Sequence, residues 1–141
     1  MICPDINLLL YATFKTYPEH EKAKAWWDNI LSSSQTIAFG HVVILGFIRI
    51  STHPRIFTRP LKIREAIEVV DGWLAQPNTA IISPADGHWE HLKSMLLSGN
   101  TGGNLTTDAH IAALAADYGL VIHSNDADFA RFPDVKCVNP L

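Results

Sequence analysis

Residues 119–132 read GLVIHSNDADFARF, and the fold turns on how that stretch is taken. Its apolar run, Leu120 to Ile122, is too short for a helix and has the character of a strand buried on both faces. Within a few residues the chain reaches two carboxylates, Asp126 and Asp128. In an open parallel sheet, the residues just past the carboxyl end of a strand face the crevice where ligands bind. An acid pair at that point calls for a positive counterpart.

Three further runs resemble it: TIAF at 36–39, AII at 80–82 and VKCV at 135–138, while MICPD makes a first strand that Pro4 cuts short. Between them, apolar residues recur at helical spacing. Ala23, Trp26, Trp27, Ile30 and Leu31 do so behind Pro18, and Ile63, Ala66, Ile67, Val70 and Leu74 behind Pro60. Trp89, Leu92 and Leu96 mark a helix started near Asp86, and Ile111, Leu114, Ala115 and Tyr118 mark one that Thr106 or Thr107 caps and Gly119 ends. In HVVILGFIRIST the β-branched residues favour a strand, but the length after TIAF predicts a helix from about His41. Gly46 inside that helix costs roughly 1 kcal/mol relative to Ala. The alternation predicts an α/β fold with residues 1–141 as a single domain: a central parallel sheet of about four to five strands, flanked by helices and joined by right-handed crossovers.

At 141 residues and 48% hydrophobic, the chain has the size of one domain that buries roughly two-thirds of its unfolded surface. No window approaches the roughly 18 to 20 apolar residues of a membrane span, and the start lacks the basic opening of a signal peptide. A cytoplasmic location without membrane attachment is expected. Cys3 and Cys137 form neither a C-x-x-C pair nor a disulfide framework. With the 120–123 strand between the first and last strands, they are expected about 9 to 10 Å apart, too far to bridge. The net charge of −3 gives no general pull on nucleic acid. Yet no acid occurs between Asp28 and Glu65, where Arg49, Arg55, Arg59, Lys62 and Arg64 fall. That sector reads equally as a solvated surface or as a grip for a polyanion.

Asp5 ends the first strand, Asp108 lies in the first turn of the helix that feeds the 120–123 strand, and Asp126 and Asp128 follow that strand. A doubly wound order sets the first strand beside this later one, so the three segments meet in one cleft. Asp108 alone needs no function, since the helix dipole favours an acid in the first turn. Together the acids are costly: two carboxylates about 5 Å apart repel by roughly 3 kcal/mol at an effective dielectric near 20. Oxygen-only donors suit Mg²⁺, or Mn²⁺. Such an ion lowers the pKa of a coordinated water, and a pair of them stabilises both the attacking and the leaving oxygen of a phosphodiester displacement. Phosphodiester hydrolysis is the natural chemistry.

DINLLLYA from Asp5, TDAHIAALAADYG around Asp108 and SNDADFARF around Asp126 resemble, in order and spacing, three acidic motifs of PIN-domain ribonucleases, in particular the VapC toxins of toxin–antitoxin pairs. The likeness runs from DINLLLYA through GFIRISTHPRIF to the closing NPL. It implies a Mg²⁺-dependent endoribonuclease, a homodimer, an RNA substrate and a cognate antitoxin that binds over or near the acidic cleft. Asp5, Asp108 and Asp126 are then the catalytic metal ligands. Asp128 is an added ligand, because the glutamate that many PIN domains carry after the second strand aligns with Gly46. Asn7 and Ser124 are expected to orient carboxylates or waters, and Arg49 to contact phosphate or pair with an acid. Arg55, Arg59, Lys62 and Arg64 are candidates for holding RNA away from the metal. Two rivals stand beside this reading. One is a non-catalytic PIN-like module that binds RNA or protein. The other is a Mg²⁺-dependent phosphatase for small molecules, against which the extended basic sector weighs.

GHWEHL sets His88 and His91 one turn apart around Glu90, but without the H-E-x-x-H spacing or an evident third ligand, so zinc is not expected. The four tryptophans fit helix faces and are mostly core. Adjacent Trp26 and Trp27 cannot both point inward, which leaves one open to a dimer or antitoxin contact.

Overall fold

The computed structural model describes residues 1–100 and 102–141. Among them, β1 (Ile2–Pro4), β2 (Ile37–Gly40), β3 (Thr79–Ile82), β4 (Val121–His123) and β5 (Lys136–Val138) form one parallel sheet in the order β3-β2-β1-β4-β5. The described helices are α1 (Ile6–Thr13), α2 (His20–Leu31), α3 (His41–Ser51), α4 (Ile63–Leu74), α5 (His88–Ser98) and α6 (Thr106–Tyr118). The chain moves outward from β1 through β2 to β3, then crosses back to lay β4 on the other side of β1. The strand order therefore reverses between β1 and β4, where a crevice opens at the carboxyl ends. Cys3 pairs with Ile122 and Ile122 with Cys137, so the two free cysteines lie in one row, two strands apart. No helix among the described residues is long and apolar enough to cross a membrane.

Periodicity assigns no element to residues 6–13, where Leu8, Leu9 and Leu10 are consecutive. All three are buried in α1, a helix enclosed on most of its surface. Asp5 sets its start by accepting the Ile6 N–H at 2.7 Å, which satisfies one of the orphan donors of the first turn. The strands are not uniformly buried as their apolar runs predict. β1 and β2 are covered throughout, whereas the edge strands β3 and β5 expose residues on their outer side.

Helix faces depart from the pattern for the same reason. α4 lies over the edge strand β3 and α3 and buries Ala66, Val70 and Trp73, which leaves Ile63 and Ile67 exposed. α5 packs on α6 with Leu92, Met95 and Leu96, and Trp89 is 61% exposed rather than core. Trp27 points inward, edge-on to Phe39 and Trp73. Trp26 is half-buried against His123 and donates its Nε1–H to His123 Nδ1 at 3.1 Å, so it is not a free interface anchor. Thr106 and Thr107 do not cap α6. The helix is entered through a 3₁₀ turn, Gly103–Leu105, and its cap position, Leu105, is already in the right-handed helical region. Gly119 does end it, with φ +64°, a left-handed conformation that glycine adopts without a Cβ penalty.

Gly46 is buried where α3 crosses α1, and a Cβ placed there would overlap Cδ1 of Ile6. Ile6 thus fills the space beside the position that the resemblance aligns with a glutamate. Gly46→Ala should lower stability by about 1 kcal/mol, because overpacking of about 1–3 kcal/mol outweighs a helix-propensity gain of roughly 1 kcal/mol. In an Ile6→Ala background the same substitution should instead stabilise, by up to about 1 kcal/mol. Urea midpoints for the four proteins of this cycle test the packing, and additive effects would dismiss it.

Candidate active site

The site begins with the carboxyl ends of β1 and β4. Asp5, directly after β1, is buried. Its Oδ1 takes the Ile6 N–H and its Oδ2 accepts the Ser124 hydroxyl at 2.7 Å. The same hydroxyl oxygen accepts the Asp126 N–H at 2.9 Å, and Asp126 Oδ1 accepts the Asp128 N–H at 2.8 Å. Asp126 therefore caps the 3₁₀ turn Ala127–Arg131. The close spacing of the two acids has a local cause: the first caps the turn that carries the second.

Asp108 enters from the first turn of α6. Asp108, Asp126 and Asp128 each offer an oxygen, and these oxygens lie within 4.8 Å of one another. Asp5 stands outside that trio, with both oxygens engaged, but lines the same cleft with Asn7, Arg49, Asn104, Asp108 and Asp126. Burial first, then the charges of Asp5, Asp126 and Asp128, push the Asp108 carboxyl up to about 7. The Asp5 carboxyl is also raised, by burial above all, although hydrogen bonds from Ser124 and Ile6 oppose the shift.

Positive charge at the trio is slight. Arg131 Nε reaches Asp128 Oδ1 at 3.4 Å, between half-exposed side chains, a pairing worth little in water. Arg49 is exposed at the cleft rim, and among the described residues it has no carboxylate within 4.0 Å. Asn7 Oδ1 is buried without a hydrogen-bond donor. Three converging carboxylates and an orphaned amide oxygen, with no sulfur or imidazole among them, fit a hard divalent cation and its water shell.

Arg55, Arg59, Lys62 and Arg64 are exposed and do not line this cleft. Phe57 stacks on Phe14, ring centroids 3.9 Å apart, and holds their loop beside the far end of α1. Thr107, which opens the motif around Asp108, also lines the cleft, as does Asn104, which no motif singles out. The histidines of GHWEHL serve Asp117, which periodicity does not single out. His88 Nδ1 and His91 Nδ1 each meet its fully covered carboxylate at 2.6 Å, and His88 Nε2 meets His110 Nδ1 at 3.0 Å, tying α5 to α6.

An acid-lined crevice at the strand reversal of a parallel sheet is the architecture of the PIN domain, whose family model matches residues 2–135. Over all 141 residues the chain is 40% identical to Ribonuclease VapC33 of Mycobacterium tuberculosis, covering 99% of that protein. The chain belongs to the PIN-domain family and, within it, to the VapC ribonucleases. Its fold is similar to two solved structures. One is VapBC2 from Rickettsia felis bound to a DNA fragment from their promoter, with TM-score 0.70, 19% identity, and 99% of this chain and 98% of that one covered. The other is a toxin–antitoxin complex from Klebsiella pneumoniae, with TM-score 0.66, 16% identity, and 100% and 98% covered.

A carboxyl that titrates higher in the folded than in the unfolded chain binds extra protons when folded, so its stabilising effect is present at low pH and lost as pH rises. For Asp108, the loss runs from the ordinary carboxylate range up through about 7. In EDTA, the melting temperature should fall between pH 5 and pH 8, and Asp108→Asn should flatten much of that fall. A profile that is level or rising across this range would remove the crowding argument.

Proposed function

We propose that this chain is a divalent-cation-dependent endoribonuclease that acts as the toxin of a toxin–antitoxin pair. The observation that carries the reading is the convergence of Asp108, Asp126 and Asp128 within 4.8 Å. Its context is a chain 40% identical, end to end, to a protein named as a ribonuclease. Asp108, Asp126 and Asp128 would hold Mg²⁺, or Mn²⁺, directly. Asp5, whose oxygens are engaged by Ile6 and Ser124, would meet it through water. The ion supplies a coordinated water of lowered pKa and neutralises charge on the scissile phosphate.

The chain's own residues do the rest. Ser124 holds the Asp5 carboxylate in one orientation, and Asn7 lines the cleft with its oxygen buried and without a donor. Arg49 binds a phosphate oxygen from the rim. Arg55, Arg59, Lys62 and Arg64 hold the flanking strand by its backbone charge. An antitoxin partner is supported by the fold shared with the Klebsiella pneumoniae toxin–antitoxin complex. A homodimer belongs to the same proposal, and exposed Leu45, Trp89 and Leu97 give such contacts apolar surface to bury.

Asp126→Asn should lower cleavage of a fluorogenic oligoribonucleotide at least about a hundredfold, since one ligand of the cation is removed. Its melting temperature should be unchanged or higher, because repulsion is relieved while Oδ1 still caps the turn. A wild-type protein that binds RNA yet cuts none in Mg²⁺ or Mn²⁺ would turn the reading to the non-catalytic module. Neutralising Arg55, Arg59, Lys62 and Arg64 together should flatten the dependence of RNA affinity on salt, by about 0.7 in log–log slope for each phosphate that the protein no longer neutralises. An unaltered slope would mean that the strand runs elsewhere.

A further inference from the structure

On the β4–β5 side of Asp126 lies a second hollow, a cavity of about 420 Å³ walled by Asn125, Ala130, Phe132, Val135, Cys137 and Asn139. Asp126 lines both this cavity and the carboxylate cleft, so the two share a wall. The inner surface is mostly apolar, with the rings of buried Phe129 and Phe132 5.9 Å apart. Apart from the Asp126 carboxylate in the shared wall, the side chains with free polar groups here are neutral amides. Asn139 Oδ1 accepts the Leu141 N–H at 3.1 Å, which orients the amide and leaves its NH₂ free to donate. Asn125 is half-buried, and the hydrogen bonds around it, among Ser124, Asp5, Asp126 and Asp128, leave its amide unused. The Ser124 hydroxyl is already committed to Asp5 and to the Asp126 amide.

Among the described residues no lysine or arginine lines this cavity, and the Asp126 carboxylate in its wall would repel a phosphate. A planar, neutral group carrying both donors and acceptors fits it. Asparagine amides pair with the donor and acceptor edges of nucleobases, and unstacked bases of single-stranded RNA are read in this way. We propose that the cavity seats the nucleobase next to the scissile phosphate, with Asn125 and Asn139 reading its edge and so setting which sequences are cut. The inference rests on the nuclease reading above and names the part of the substrate that the site selects.

Two measurements on the full chain test it. The first maps the new 5′ ends of RNA cut by the wild type and by an Asn125→Ala/Asn139→Ala variant in Mg²⁺. The preference at one nucleotide beside the cut should relax in the variant. The second measures anisotropy with metal-free protein and single-stranded octamers of rA, rC, rG or rU. The wild type should spread these affinities about tenfold or more, the scale of one amide–base pairing, and the variant should bring them together. Ala130→Trp, which fills the cavity from its exposed rim and keeps both amides, should do the same. An unchanged cutting pattern with an unchanged spread overturns the assignment. So does a variant that keeps both but no longer binds the antitoxin, which would make the cavity a protein-binding surface. If the wild type yields no cut ends, the nuclease reading fails by itself, and the octamer spread still decides whether a base is seated.

Discussion

One hydroxyl joins the two strands between which the site is built. Ser124 donates to Asp5 at the end of β1 and accepts from the amide of Asp126 beyond β4, across the point where strand order reverses. Left without partners, a buried carboxylate such as Asp5 would take up a proton, since the charged form is the one that loses most by leaving water. Here Ser124 and the Ile6 amide oppose that tendency, and the second of these bonds is also what starts α1. The same oxygen atoms therefore begin a helix, hold the charge of Asp5 and place Asp126 at the head of its turn.

The remaining acids inherit their positions from this frame. Asp126 caps the short turn, and the turn brings Asp128 back to the same side as its neighbour. Asp108 comes from the opposite wall, on the first turn of α6, where the positive end of the helix dipole relieves part of the repulsion. The relief is incomplete, and Asp108 remains raised to about 7. With Asp126 fixed by its cap and Asp108 carried on the first turn of α6, the trio has little room to spread apart and lower its energy. Its natural relief is a proton or a cation, and this links the protonation of the cleft to its capacity for metal.

Much of this is legible in the residues. Short apolar runs locate all five strands of the described sheet, and the doubly wound order places the first strand beside 120–123, which brings four aspartates to one mouth. What escapes is set by neighbours rather than by local pattern. Leu8, Leu9 and Leu10 have no period because α1 is enclosed on more than one side. Trp89 fits an amphipathic stripe, yet α5 packs chiefly on α6, and that interface is filled by Leu92, Met95 and Leu96. Nor can spacing reveal that Ser124 spends both its donor and its acceptor on the site, or that Asp117 gathers histidines from the preceding helix. Most of these bonds join residues far apart in the chain, and none leaves a period to read.

Charge is partitioned along α1. Asp5 stands at its amino end, and Phe14 at its other end stacks on Phe57, which anchors the loop before α4 that carries the basic residues. Eight residues of helix separate the two ends by about 12 Å, more than the Debye length of about 8 Å at physiological salt. Cleft acids therefore do little to weaken the attraction between a polyanion and Arg55, Arg59, Lys62 or Arg64. Arg49 is the exception, because it stands on the acid rim itself, one helical turn past the glycine that Ile6 requires. With a methyl or larger group at position 46, the Ile6 side chain beside the cleft would have to give way. The close approach of these two helices thus brings Arg49 to the rim above the carboxylates it overlooks.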